Sequence, residues 1–215
     1  MGVRVTVVDQ GTGNLFSVVR ALEHLGAEPE FVSTAAGVAA AERLILPGVG
    51  AFGDGMRALH HQGLVEPLRS AALERQCPVL GICLGMQLLF DTGEEMGRHE
   101  GLGLIRGRVE RVPAQTVEGA PLKVPHIGWN GLHVPEARTD WRDTIMAGQE
   151  EGEAVYFVHS YAGHPDDDRV RLADCVYGGH RLCVAIQSGK VSGCQFHPER
   201  SGPAGLEILR RFLEA

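Results

Sequence analysis

The chain has 215 residues, a formal net charge of −7, 44% hydrophobic and 22% charged residues. That length predicts one domain, residues 1–215, with a substantial core. An acidic balance without a basic run excludes nucleic acid as the expected partner. The lack of an apolar run of transmembrane length or of a charged-then-apolar leader predicts a cytoplasmic protein that avoids membranes.

In chain order, residues 3–8 are an apolar, β-branched run, the signal of a buried strand. Residues 15–25 show helical spacing, with Gly26 placed to end the helix. Residues 30–32 and 43–46 are further strand candidates, the second running into a Gly-rich loop. Helical spacing returns over 64–73, followed by a strand over 79–82 and an apolar, helix-like segment over 86–90. Strands alternating with helices predict a parallel sheet covered on both faces. The second half clusters strand candidates at 107–112, 131–134, 155–159, 174–177, 181–187 and 191–196, some of them expected as an antiparallel extension. A last helix is predicted over 203–213. The five cysteines include no C-x-x-C pair, which argues against a disulfide framework and a zinc knuckle.

The most informative stretch is Val79-Leu80-Gly81-Ile82-Cys83-Leu84-Gly85-Met86-Gln87. A lone cysteine after a core strand reads first as an inert buried thiol. Here a strand runs straight into Gly-x-Cys-x-Gly and then a helix, the arrangement of a nucleophile elbow, whose sharp turn requires small neighbours. The helix N-terminus favours thiolate, the reactive form. Near the C-terminus, Pro198 in Gln195-Phe196-His197-Pro198-Glu199 pushes His197 into an extended conformation. Positions i and i+2 of an extended chain share a side, so Glu199 is expected to orient the His197 imidazole. A surface turn is the alternative. With Cys83, the pair completes a nucleophile–base–acid triad.

Attack on an amide also creates an oxyanion that needs fixed N–H donors. The N–H of Leu84, directly after the nucleophile, is one. Pro47-Gly48-Val49-Gly50 follows a strand of the same sheet, at the edge where open α/β sheets bind ligands, and its glycines let a second N–H turn inward. Gln87 lies one helical turn beyond Cys83, facing the same site.

G-I-C-L-G-M-Q (81–87) with Q-F-H-P-E (195–199) resembles the triad, or class I, glutamine amidotransferases. V-D-Q-G-T-G-N-L (8–15), L-P-G-V-G-A-F-G-D-G-M (46–56), P-H-I-G-W-N (125–130), Y-F-V-H-S-Y (156–161) and F-H-P-E-R-S-G (196–202) narrow the resemblance to the glutaminase subunits of imidazole glycerol phosphate synthases. It spans nearly the whole chain. The fold it implies is α/β: the three-layer, flavodoxin-like class I amidotransferase fold. Its central sheet is mostly parallel, with helices on both faces and an antiparallel extension in the C-terminal half. The implied catalytic residues are Cys83, His197 and Glu199, with Val49 and Gly50 joining Leu84 in the oxyanion hole. The same loop is implied to rest with its N–H turned away until a partner binds. The family pattern assigns glutamine binding to Gln87, Glu95 and backbone groups at Ser160 and Tyr161; a plain surface charge is the alternative for Glu95. No metal or organic cofactor is implied.

The resemblance names a partner: the cyclase subunit, a (β/α)8 barrel, in a heterodimer that receives ammonia for histidine biosynthesis. Asn14, Trp129, Tyr156 and Arg200 are the interface candidates by motif position, although Trp129 and Tyr156 are equally ordinary as core residues. Three positions depart from the pattern: Gln10 where an aromatic residue is common, Ile127 for methionine, and Arg200 for lysine. Other motifs are set aside. Gly11-Thr12-Gly13 lacks the third glycine of a dinucleotide loop, because Phe16 stands in its place. Asp166-Asp167-Asp168 lacks the ligand spacing of a hard-cation loop. His60 and His61 read as a helix-surface pair and His159 as a hydrogen-bonded structural histidine. Three rival functions stay open at this level: another pathway's amidotransferase, a free-standing cysteine hydrolase of γ-glutamyl compounds, and a regulatory subunit with a dead site.

Overall fold

The computed structural model describes residues 2–11 and 13–215; Thr12, in the loop set aside above, lies outside them. Strand β1 (Arg4–Val8) is followed by helix α1 (Leu15–His24), β2 (Glu28–Val32), α2 (Ala35–Ala40) and β3 (Leu44–Gly48). Helices α3 (Phe52–His61) and α4 (Val65–Leu73) lead to β4 (Val79–Cys83) and the short α5 (Leu84–Leu88). Strands β5 (Phe90–Gly93), β6 (His99–Glu100), β7 (Ile105–Arg111), β8 (His126–Gly131), β9 (Ala154–His159) and β10 (Tyr161–Pro165) follow. The chain ends through β11 (Arg171–Tyr177), β12 (His180–Ser188), β13 (Val191–Cys194), a 3₁₀ turn at Pro198–Arg200 and α6 (Gly202–Glu214).

Among the described residues the main sheet runs β2-β1-β3-β4-β13-β12-β10-β7-β5-β6, with β11 paired to β12. The pairs from β2 to β13 are parallel, and β12, β10 and β11 add the antiparallel part. Alternation along each parallel strand divides the core. Val5, Val7 and Ile45 face α1 and α6, through Val18, Leu22, Ile208 and Phe212. Val8, Leu44 and Leu46 face α2, α3 and α4, through Val38, Met56, Leu59 and Leu68. Strands β8 and β9 form a separate two-stranded ribbon.

Several elements differ from the sequence expectation. The helix expected over 86–90 is α5, two residues earlier, and Phe90 already starts β5. The strand expected over 131–134 is β8, five residues earlier. The strand expected over 191–196 stops at Cys194, where the chain turns toward His197. α3 forms despite Gly53 and Gly55 because it buries Phe52, Met56 and Leu59. Glu95 accepts a hydrogen bond from the Phe52 N–H at 2.8 Å, satisfying an otherwise orphaned donor of its first turn.

Candidate active site

The parallel register sets the site. Gly48, the last residue of β3, pairs with Cys83, the last of β4, and Cys194 of β13 pairs with Ile82. The 49–50 loop and the segment leading to His197 therefore leave the sheet at the edge where Cys83 sits. Cys83 takes φ 55° and ψ −111°, a left-handed backbone in which the chain reverses from strand to helix. The helix fits only because Gly85 has no side chain: a Cβ there would lie 1.7 Å from the Leu46 carbonyl oxygen. Gly48 is confined less strictly: a Cβ would meet the end of the Gln10 side chain, which can move, and Leu84 Cβ at 3.1 Å.

His197 and Glu199 meet as expected, by a different route. His197 is extended (φ −100°, ψ 95°), but Pro198–Arg200 is a 3₁₀ turn, and it is this turn that brings the carboxylate back to the ring. His197 Nδ1 stands 2.8 Å from Glu199 Oε1. The His197 and Glu199 side chains are 6% and 1% exposed, so water hardly competes for the contact. The Ser201 hydroxyl donates to the His197 carbonyl at 2.6 Å and accepts from the Tyr156 N–H at 3.0 Å, tying the turn to β9. Burial pushes the imidazole's proton affinity down. The Cys83 sulfur and the Glu199 carboxylate outweigh it and raise the pKa to about 10. Among the described residues His197 Nε2 makes no well-formed hydrogen bond, yet the sulfur of Cys83 raises the ring's pKa, so the nitrogen opposite Glu199 is turned to the nucleophile.

A cavity of about 360 Å³ opens at this point. It is lined by Val49, Gly50, Cys83, Leu84, Gln87, Glu95, Ser160, Tyr161 and His197, together with Pro125, Val158 and His159. Every residue expected to be catalytic, to hold the oxyanion or to bind substrate is thus on its wall, except Glu199, which sits behind the imidazole. A cavity of this size suits a small molecule.

The glutamine amidotransferase class-I family model matches residues 6–215. The chain belongs to the class I glutamine amidotransferases. It is 45% identical over 210 residues to a Legionella pneumophila (strain Lens) protein named imidazole glycerol phosphate synthase subunit HisH 1, covering 98% of each chain. It is 47% identical over 209 residues to the HisH subunit of Geobacillus thermodenitrificans, covering 97% of this chain and 94% of the relative. Among solved structures, one titled as a glutamine amidotransferase superposes with a TM-score of 0.72 at 23% identity, over 99% of this chain and 98% of that one. The structure of PurLQS from Thermotoga maritima gives 0.72 at 24% identity, over 100% and 99%. These two matches speak for the amidotransferase fold.

Within this amidotransferase, some candidate groups are already engaged. Gln87 donates both amide hydrogens, to the Tyr161 carbonyl at 3.1 Å and to Gln195 Oε1 at 2.9 Å, so its own Oε1 is what it offers the cavity. The Tyr161 carbonyl accepts from Gln87 and stands 2.8 Å from His159 Nδ1, whereas the Ser160 carbonyl accepts from the Val112 N–H and keeps one lone pair. Glu95 shares its carboxylate between the cavity wall and the start of α3. Gln195, quoted above only as part of a motif, is fully buried and places Nε2 3.8 Å from Cys83 Sγ. No spacing rule could find this contact, because 112 residues separate the two.

Three of the four interface candidates cluster. Trp129 and Tyr156 are cross-strand partners on the β8–β9 ribbon with ring centroids 6.0 Å apart, and the Arg200 guanidinium lies 4.7 Å over the Tyr156 ring. Trp129 is 59% exposed and stands with exposed Ile127 and Val158 on the outer face. Asn14 is elsewhere, its Oδ1 accepting the Ser17 N–H at 3.4 Å to cap α1. The inner face of the ribbon carries His126, Phe157 and His159. His159 Nδ1 stands 2.8 Å from the Tyr161 carbonyl, which can only accept; His159 Nε2 must then accept from His126 Nδ1 at 3.0 Å. Burial pushes both imidazoles down to about 4, with the Tyr161 carbonyl partly opposing it at His159. His159 lines the cavity as a neutral structural group.

Proposed function

We propose that this chain hydrolyses glutamine to glutamate and ammonia as the glutaminase subunit of an imidazole glycerol phosphate synthase, with Cys83 as its nucleophile. The thiolate attacks the side-chain amide carbon. The Leu84 N–H and an N–H of the Val49–Gly50 loop hold the oxyanion. His197, oriented by Glu199, hands its proton to the nitrogen as the C–N bond breaks, leaving a thioester and ammonia. His197 then takes a proton from water, whose oxygen attacks the thioester; the C–S bond breaks, and glutamate and the thiolate are released. Gln87, Glu95 and groups of Ser160 and Tyr161 hold the amino acid. One observation carries the reading: Cys83, His197, Leu84 and the 49–50 loop line a single cavity, with Glu199 closing the imidazole from behind.

Ammonia in water at neutral pH is mostly ammonium, a poor nucleophile, so it is passed on without release. The receiver is the cyclase subunit, a (β/α)8 barrel, which uses it to convert the phosphoribulosyl formimino aminoimidazole carboxamide ribotide into imidazole glycerol phosphate and aminoimidazole carboxamide ribotide. The exposed face of Trp129, Tyr156 and Arg200 is where we seat the barrel, with α1 and Asn14 beside it. Among the described residues no helix is long and apolar enough to cross a membrane. Five free, buried cysteines suit the reducing cytoplasm, where we place the enzyme.

The test is glutamine turnover by the purified chain alone and with the cyclase subunit and its nucleotide ligand, beside Cys83→Ala. Stimulation by the loaded barrel, abolished in Cys83→Ala, is the expected result. Full activity of the lone chain, indifferent to the barrel, would point to an independent hydrolase.

A further inference from the structure

The polar atoms around Cys83 fix one another's orientation. The Tyr161 carbonyl can only accept, so Gln87 must turn its NH2 toward it. The second hydrogen of that NH2 points at Gln195, which must therefore present Oε1 at 2.9 Å. The Gln195 NH2 is left facing the opposite way, and what it faces is Cys83 Sγ at 3.8 Å. The main chain of Gln195 is pinned as well, its N–H donating to the Val184 carbonyl at 2.9 Å. No part of this side chain is exposed, so water cannot replace it as a donor.

Besides Gln195, the sulfur meets the Val158 carbonyl at 3.9 Å, and the His197 ring, whose pKa the sulfur raises, also faces it. The Gln195 amide and the Val158 carbonyl suit different protonation states. A thiol can donate to a carbonyl, whereas a thiolate can only accept, and of the pair only Gln195 offers a hydrogen. The His197 ring supplies attraction but makes no well-formed bond through Nε2.

We propose that Gln195 is a positioning residue for the nucleophile: its amide hydrogen holds the Cys83 sulfur as the thiolate and aims it into the cavity, in an orientation dictated through Gln87 by the Tyr161 carbonyl. The proposal deepens the reading of Cys83 as the nucleophile and rests on it. It also gives the Q of Q-F-H-P-E a task distinct from that of His197 and Glu199.

Two substitutions separate holding the sulfur from merely filling the space. Gln195→Glu keeps the shape and still accepts from Gln87, but replaces the donor with an oxygen. Gln195→Met keeps the length and offers neither donor nor oxygen. Both are compared with wild type and Cys83→Ala as complexes with the cyclase subunit. Three quantities are read: the rate of Cys83 alkylation by iodoacetamide at neutral pH, followed on the Cys83 peptide, and kcat and KM for glutamine. Both variants are expected to lose about tenfold or more in alkylation rate and kcat, the scale of one hydrogen bond to a charged group, with KM within about twofold. Gln195→Glu should be the slower. If Gln195 serves only as the acceptor for Gln87, Gln195→Glu will behave as wild type, and the proposal is overturned. A fall in kcat with unchanged alkylation also overturns it, because Gln195 would then act on the substrate. Should Gln195→Met fail to fold, Gln195→Glu decides by the same readings; should Gln195→Glu fail, a wild-type alkylation rate in Gln195→Met overturns the proposal and a loss of about tenfold there supports it. Turnover persisting in Cys83→Ala would instead sink the assignment of the nucleophile, while the alkylation rates would still report whether Gln195 holds the sulfur.

Discussion

Gly48 and Cys83 are register partners at the ends of adjacent parallel strands, so the 49–50 loop leaves the sheet directly beside the sulfur. The pairing holds only while α5 packs against β3, and Gly85 is the residue that lets it. Gly85→Ala would drive a methyl into the Leu46 carbonyl, at 1.7 Å without relaxation. Backbone on both sides leaves no flexible group to yield. We expect a loss of more than about 3 kcal/mol in denaturant unfolding, together with loss of glutaminase activity. A variant as stable and active as wild type would show that α5 can shift without cost.

Glu199→Gln tests the acid of the triad. The His197 imidazole, opposed by burial, is raised to about 10 by Cys83 and Glu199. A raised histidine stabilises the folded chain fully below its unfolded value of about 6.5. That contribution fades as pH climbs toward about 10. Removing one raising partner should flatten this part of the stability-versus-pH curve. It should also lower kcat roughly a thousandfold or more, the usual cost of losing the orienting acid. Equal slopes for the two proteins would separate Glu199 from the ring's charge.

The inner histidines of the β8–β9 ribbon have the opposite sign. Burial lowers both His126 and His159 to about 4. Their neutrality contributes stability that is present above about 6.5 and lost as pH falls toward about 4. His126→Phe keeps a flat ring between Tyr177 and Phe157, which stack on it at 4.0 and 4.8 Å. Its unfolding free energy should fall less steeply with acid than that of wild type, as measured by denaturant titration across this range.

Limited iodoacetamide treatment of the native protein should add one label, on Cys83. All five cysteines are free and buried, but only Cys83 is on the cavity wall. Burial pushes Cys175 and Cys183 up to about 12, raises Cys194 strongly and raises Cys77. Thiols held protonated react slowly. Peptide mapping with and without glutamine checks this; a first label on Cys77, or no protection by glutamine, would contradict it.

Trp129→Ala should weaken binding of the cyclase subunit by about tenfold or more, because large aromatic side chains dominate such interfaces. Trp129 is mostly exposed in the free chain. The melting temperature of the isolated subunit should therefore barely move, while titration of the complex by calorimetry shows the loss.

How much of this was legible in the sequence depends on the range of the interaction. The elbow was legible because strand, nucleophile and helix are adjacent in the chain, and flanking glycines are a local steric requirement. His197 and Glu199 were legible as a pair, although a 3₁₀ turn and not an extended strand brings them together. The 86–90 segment was legible as a helix but placed two residues late, because a fully buried apolar run gives no signal of where the helix ends and β5 begins. β8 starts five residues before the expected strand although it contains Gly128 and Asn130, residue types depleted in strands; cross-strand pairing with β9 overrides that preference. Gln195 was invisible as a partner of the sulfur, since only the assembled sheet brings β4 beside β13.

The Tyr161 carbonyl accepts from Gln87 and from His159, so one main-chain oxygen joins the amides beneath the nucleophile to the imidazoles of the ribbon. Its two lone pairs are both taken. Nothing in this junction depends on which side chain residue 161 carries. A scan that replaces residues one at a time would score position 161 by its ring alone and pass over the oxygen. Mapping this enzyme by side-chain substitution therefore has a blind spot at its centre, and only a change to the backbone itself, such as an amide-to-ester replacement that weakens the carbonyl as an acceptor, would expose it.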